Sequence, residues 1–192
     1  MLNERELKVL SCFFPNLEQR TSKQIEEHSK YSHERVFMTL KKLVKERYLE
    51  ERKVGKTNIY DFVFTDESYL IFAYYMTSRI EQFKKRHSLL YKRLLEFVGS
   101  IKANSVILFG SYAKGTETEE SDVDLLCVSN GKGIERVANT FKTKYDMSIR
   151  PVVVKPSDFK NIKKDNETFY KDMVEFGVVI SGIEFFFNEV YR

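Results

Sequence analysis

Two aspartates set one residue apart at the head of an apolar run constrain this 192-residue chain more than any other feature. In "SDVDLLCV", Ser121 to Val128, the run has the composition of a buried β-strand, so Asp122 and Asp124 point to one face and Val123 to the other. Like charges that close repel, and ionised carboxylates are seldom buried without partners. A divalent cation resolves the conflict. Mg²⁺, or Mn²⁺ in its place, takes oxygen ligands, commonly one or two carboxylates completed by substrate phosphates and water. The strand therefore predicts a metal pair with a phosphate site nearby.

That site is expected at Gly110-Ser111. After the apolar run Val106 to Phe109, Gly110 permits a tight turn and close backbone approach, and "SYAKG" can open a short helix whose free N–H groups face an anion. The Ser111 hydroxyl adds a donor. Ten residues separate Ser111 from Asp122, enough for a helical turn and a loop that returns the chain to an adjacent strand.

Strand, Gly-Ser, ten-residue spacer and Asp-x-Asp together resemble the nucleotidyltransferase superfamily that includes DNA polymerase beta. More narrowly, "GSYAKG...SDVDLL" is similar to the minimal nucleotidyltransferases of prokaryotes. The resemblance implies that Gly110 and Ser111 contact the triphosphate of an NTP, with ATP the expected nucleotide. It implies that Asp122 and Asp124 hold two Mg²⁺ ions for in-line nucleotidyl transfer, and that Lys114, at a position usually basic, offsets phosphate charge. Catalysing members usually carry a third carboxylate on a later strand. Here that strand reads "YDMSIRPVVV", and the register set by "IRPVVV" puts Arg150 at the acidic position. Asp146 is the acidic residue left in the stretch and is the candidate third carboxylate. It shares the parity of Arg150 but would stand roughly 13 Å from it along a strand.

The N-terminal third has another character. Leu7, Val9, Leu10, Phe13 and Phe14 form a helix stripe ended by Pro15; Thr21 with Gln24 is a capping-box pattern for a second helix. Ser32 is the expected cap of a third, in which Val36, Phe37, Leu40, Leu43 and Val44 recur at helical spacing. Two β-prone runs flanking Gly55-Lys56 then read as a hairpin. Three helices and a hairpin resemble a winged helix-turn-helix domain. The resemblance implies double-stranded DNA as partner, with Ser32, His33, Glu34 and Arg35 entering the major groove. Lys41, Lys42, Arg52, Lys53 and Lys56 would meet phosphates. A basic face that contacts protein is the competing reading. Residues 1 to 65 carry 13 Lys and Arg against 10 acidic residues, whereas residues 101 to 192 carry 13 against 14.

Between these regions, Asp66 to Val98 lacks proline and glycine and reads as helical. Its first half is apolar nearly all round, which predicts a homodimer interface over Tyr69 to Ile80 or packing within one chain. "FKKRHSLLYKRLLEF" is amphipathic, with Leu89, Leu90, Leu94, Leu95 and Phe97 expected to face inward. The expected architecture is α+β. A winged helix-turn-helix over 1–65 and a helical connector over 66–100 precede a nucleotidyltransferase domain with a mixed sheet over 101–192.

The charged start "MLNERELKVL" lacks a signal peptide's apolar stretch, and "YLIFAYYM" is too short to span a bilayer, so a cytoplasmic location is expected. Cys12 and Cys127 sit among apolar residues in separate segments and are expected to be reduced and buried. His28, His33 and His87 show no metal-ligand spacing. The functional expectation is a DNA-binding protein whose NTP site transfers a nucleotidyl group to a hydroxyl of a protein, RNA or small molecule. Two alternatives stand beside it: a transcriptional regulator whose transferase fold senses nucleotide, and an antitoxin that nucleotidylates a partner toxin.

Overall fold

The computed structural model describes residues 1–192, which divide into two compact units, Met1–Tyr75 and Met76–Arg192. In the first unit, Asn3 begins α1 (Glu4–Ser11) with a reciprocal cap: its side chain accepts from the Glu6 N–H, and its own N–H donates to the Glu6 carboxylate. The two-residue β1 (Arg20–Thr21) leads into α2 (Ser22–Ser29), which Thr21 and Gln24 cap in the same manner. Ser32 caps α3 (His33–Lys45). The strands β2 (Leu49–Val54) and β3 (Thr57–Phe62) form the expected hairpin around Gly55-Lys56.

β1 pairs with β3, so the sheet is antiparallel with order β1-β3-β2. No periodicity marks so short a strand; β1 exists only because β3 presents free backbone groups beside it. Val9, Leu10, Phe13, Ile25, Val36, Leu40, Leu43 and Leu49 fill the interior between helices and sheet. Each such side chain contributes roughly 1.5–3 kcal/mol on burial.

The helix α4 (Ser68–Arg86) begins in the first unit and ends in the second, and α5 (Ser88–Gly99) follows. The strands of the second unit are β4 (Ser105–Leu108), β5 (Val123–Val128), β6 (Ile149–Val154) and β7 (Val178–Ser181). They form a mixed sheet of order β6-β5-β4-β7. β4 runs antiparallel to β5 and β7, whereas β5 and β6 are parallel and joined through α7 (Ile134–Tyr145). The five-residue α6 (Gly110–Lys114) lies between β4 and β5. After β6 come α8 (Pro156–Phe159), α9 (Ile162–Asp165) and α10 (Glu167–Phe176); α11 (Ile183–Tyr191) closes the chain.

Val106, Leu108, Val123, Leu125, Cys127 and Ile149 on one sheet face pack with Leu94 and Phe97 of α5 and Ile134, Ala138 and Phe141 of α7. Asp124 in β5, and Asp122 one residue before the strand begins, have the opposite parity and so belong to the other face.

Two expectations need correcting. The helical stretch 66–98 breaks at His87, whose backbone leaves the helix (φ −133) and whose Nε2 lies 3.0 Å from Glu117 Oε1. The restart of α5 turns Leu94 and Phe97 inward but leaves Leu89 and Leu95 exposed. In the apolar run 69–80, Ile71, Phe72 and Met76 are buried within the chain, and Tyr69 and Leu70 are exposed.

Candidate nucleotide site

The approach of Gly110 to Asp124 follows from strand pairing. The β4·β5 ladder sets Leu108 opposite Leu125, and one step on, the Phe109 N–H donates to the Asp124 carbonyl at 3.0 Å. The chain then turns at Gly110 with φ +70, a backbone state that favours glycine. A Cβ at position 110 would lie 2.3 Å from Asp124 Oδ2, so the Asp124 carboxylate fills the space a side chain would need. The two halves of the sequence pattern, Gly-Ser and Asp-x-Asp, are therefore in contact.

Asp122 and Asp124 share a sheet face. Desolvation is the main influence on the Asp124 carboxyl and raises its pKa; the Arg150 charge works against it and the Asp122 charge adds to it. A desolvated carboxylate with a second one beside it is a donor set suited to a hard cation. These residues fit one divalent ion. They do not fit two, because no third carboxylate, histidine or cysteine joins them.

The parallel β5·β6 register aligns Asp124 with Arg150, the position where the pattern calls for an acid. Arg150 Nε lies 2.7 Å from Asp122 Oδ2. Asp146 takes no place in this group: it caps α7 in the left-handed conformation (φ 52), three residues before β6 begins. With Val123, Met147 and Ser148 it lines a cavity of about 540 Å³, and Val123 points away from the aspartate pair.

Lys114 is also committed elsewhere. Its Nζ lies 2.6 Å from Asp172 Oδ2 and 5.2 Å from the centre of the Phe176 ring, tying α6 to α10. A separation of 58 residues leaves no local signal for that pair. The Glu117 partner of His87 was likewise illegible, as was the edge-on contact of Phe109 with Phe169.

Among the residues expected to meet DNA, Ser32, His33, Arg35, Lys41, Lys53 and Lys56 are exposed. His33 Nδ1 lies 2.7 Å from Glu26 Oε1, Lys41 sits over the Phe37 ring, and Arg35 over Tyr31. Lys42 reaches the Glu6 carboxylate at 2.5 Å, and Arg52 is paired with Asp61 at 2.9 Å. Both are thus engaged inside their own unit.

A mixed sheet with Gly-Ser turned against an Asp-x-Asp strand defines a nucleotide-handling α+β domain. Residues 91–180 match the nucleotidyltransferase domain. The chain is 34% identical over 108 residues to a Methanocaldococcus jannaschii protein provisionally named protein adenylyltransferase MJ0141, covering 53% of this chain and 94% of that one. A second protein of that organism, provisionally named protein adenylyltransferase MJ0604, is 34% identical over 97 residues, 46% of this chain and 95% of its own. A third, with the same provisional activity and called MJ1305, is 31% identical over 97 residues and 65% covered. This chain belongs to the nucleotidyltransferase family. No solved structure matches it.

Proposed function

We propose that the second unit binds ATP with one divalent ion at Gly110, Ser111, Asp122 and Asp124, and transfers its adenylyl group to a hydroxyl of a protein. The observation that carries this reading is the seating of Asp124 against Gly110, which leaves no room for a side chain between the metal-ligating strand and the Gly-Ser turn. Asp122 and Asp124 would hold Mg²⁺, which supplies positive charge to the phosphates when bound. Gly110 lets the backbone approach those phosphates closely, and the Ser111 hydroxyl donates to them. In the transfer, the acceptor oxygen bonds to the α-phosphorus as the bond to pyrophosphate breaks, and the hydroxyl proton passes to solvent. The names of the Methanocaldococcus relatives support a protein as acceptor.

A second reading is favoured by Arg150: with an arginine where a third carboxylate would stand, the site binds nucleotide and signals without transfer. We further propose that the first unit is a winged helix that reads double-stranded DNA. Its element order and the exposed start of α3 support this, with Arg35, Lys41, Lys53 and Lys56 exposed and without a carboxylate partner. Arg35→Ala with Lys56→Ala is expected to weaken DNA binding and flatten its salt dependence. Unchanged affinity would leave the unit as a protein-contact module.

Incubation with α-³²P-labelled ATP and Mg²⁺, in the presence of cell protein, tests the first reading. Label is expected on protein and is expected to vanish with Asp122→Asn. Bound ATP without transfer would establish the sensing alternative.

A further inference from the structure

We infer that Arg150 is the built-in counter-cation of the Asp122/Asp124 pair and restricts the site to a single divalent ion. This rests on the nucleotide-site reading and deepens it. The parallel register sets Arg150 directly beside Asp124, while its guanidinium reaches Asp122 at 2.7 Å, so one side chain serves both carboxylates. An arginine stays charged at any working pH and offers only donors, so it cannot become a ligand.

The charge count fixes the consequence. Two carboxylates and one guanidinium leave the pair with one net negative charge, enough to draw a first divalent ion. A second ion would meet an already positive site and find no further carboxylate to bind it. The Asp122 side chain is 22% exposed and that of Arg150 is 71% exposed, so the guanidinium reaches in from solvent and its replacement disturbs no packing. A metal entering the site competes with Arg150 for Asp122. Arg150 is thus a positioning residue, holding the Asp122 carboxylate until the ion arrives.

Titration of the full chain with Mn²⁺, followed by the loss of free-ion signal in electron paramagnetic resonance, tests this without any turnover. Wild type is expected to bind one ion. Arg150→Gln is expected to bind it about three- to tenfold more tightly, since a competing cation and its repulsion are gone. Arg150→Lys, which keeps the charge, is expected to stay near wild type, and Arg150→Asp to take up a second ion. Two ions on wild type, or equal affinity in wild type and Arg150→Gln, would overturn the inference. Failure of the underlying site is separately visible: an Asp122→Asn, Asp124→Asn variant that binds Mn²⁺ like wild type places the ion elsewhere.

Discussion

Gly110 and Asp124 form the tightest coupling in the candidate site, and their contact makes a sharp expectation at the scale of single residues. Gly110→Ala must either distort a turn at φ +70 or displace the Asp124 carboxylate from its place 2.3 Å from the new methyl group. The expected result is a loss of ATP affinity of about tenfold or more, read by calorimetry, with a cost to stability of about 1–2 kcal/mol. Asp124→Asn should do the opposite to stability. Its carboxylate is held against desolvation and the Asp122 charge, so the neutral amide is expected to raise the apo melting temperature at pH 7 by about 1–3 °C while metal binding falls. Added Mg²⁺ should stabilise the wild type and leave the variant unmoved.

At the scale of elements, Glu6 carries the assembly of α1 on α3. It is 3% exposed, completes the Asn3 cap, and accepts from Lys42. Burial pushes its carboxyl up, but the Lys42 and Asn3 hydrogen bonds outweigh that and hold it below the ordinary carboxylate value. The sign follows: a depressed folded value adds stability above the ordinary carboxylate range, and the gain is lost as pH falls through the depressed one. Glu6→Ala is expected to cost about 1–3 kcal/mol in urea unfolding at neutral pH, with the difference from wild type shrinking in acid. The Thr21 and Ser32 caps and the hairpin were legible because their signals lie within a few residues of each other. Leu89 and Leu95 were misplaced, because the face that α5 buries is set by packing on α7 and on strands distant in the sequence.

For the whole molecule, one buried cysteine in each unit reports on opening. Burial pushes the Cys12 thiol up to about 11 and the Cys127 thiol up to about 12. Both are expected to react with a thiol reagent at least about 100-fold more slowly than free cysteine at pH 8, and denaturant should release each as its own unit opens. Rapid labelling of either thiol in the native protein would show that its unit opens freely. No helix is long and apolar enough to cross a membrane.

The sequence by itself determined the turn at Gly110-Ser111 and the shared face of Asp122 and Asp124, because strand alternation and turn chemistry are local and repeat at fixed periods; the mixed sheet and the acidic position held by Arg150 were legible only through the resemblance to the nucleotidyltransferases. Only the tertiary structure decided that Asp146 caps a helix, that Lys114 spends its charge on Asp172, that Lys42 answers Glu6, and that Arg150 holds Asp122. Those partners are brought together by packing across the chain, and ion pairs have no periodicity from which a sequence could announce them.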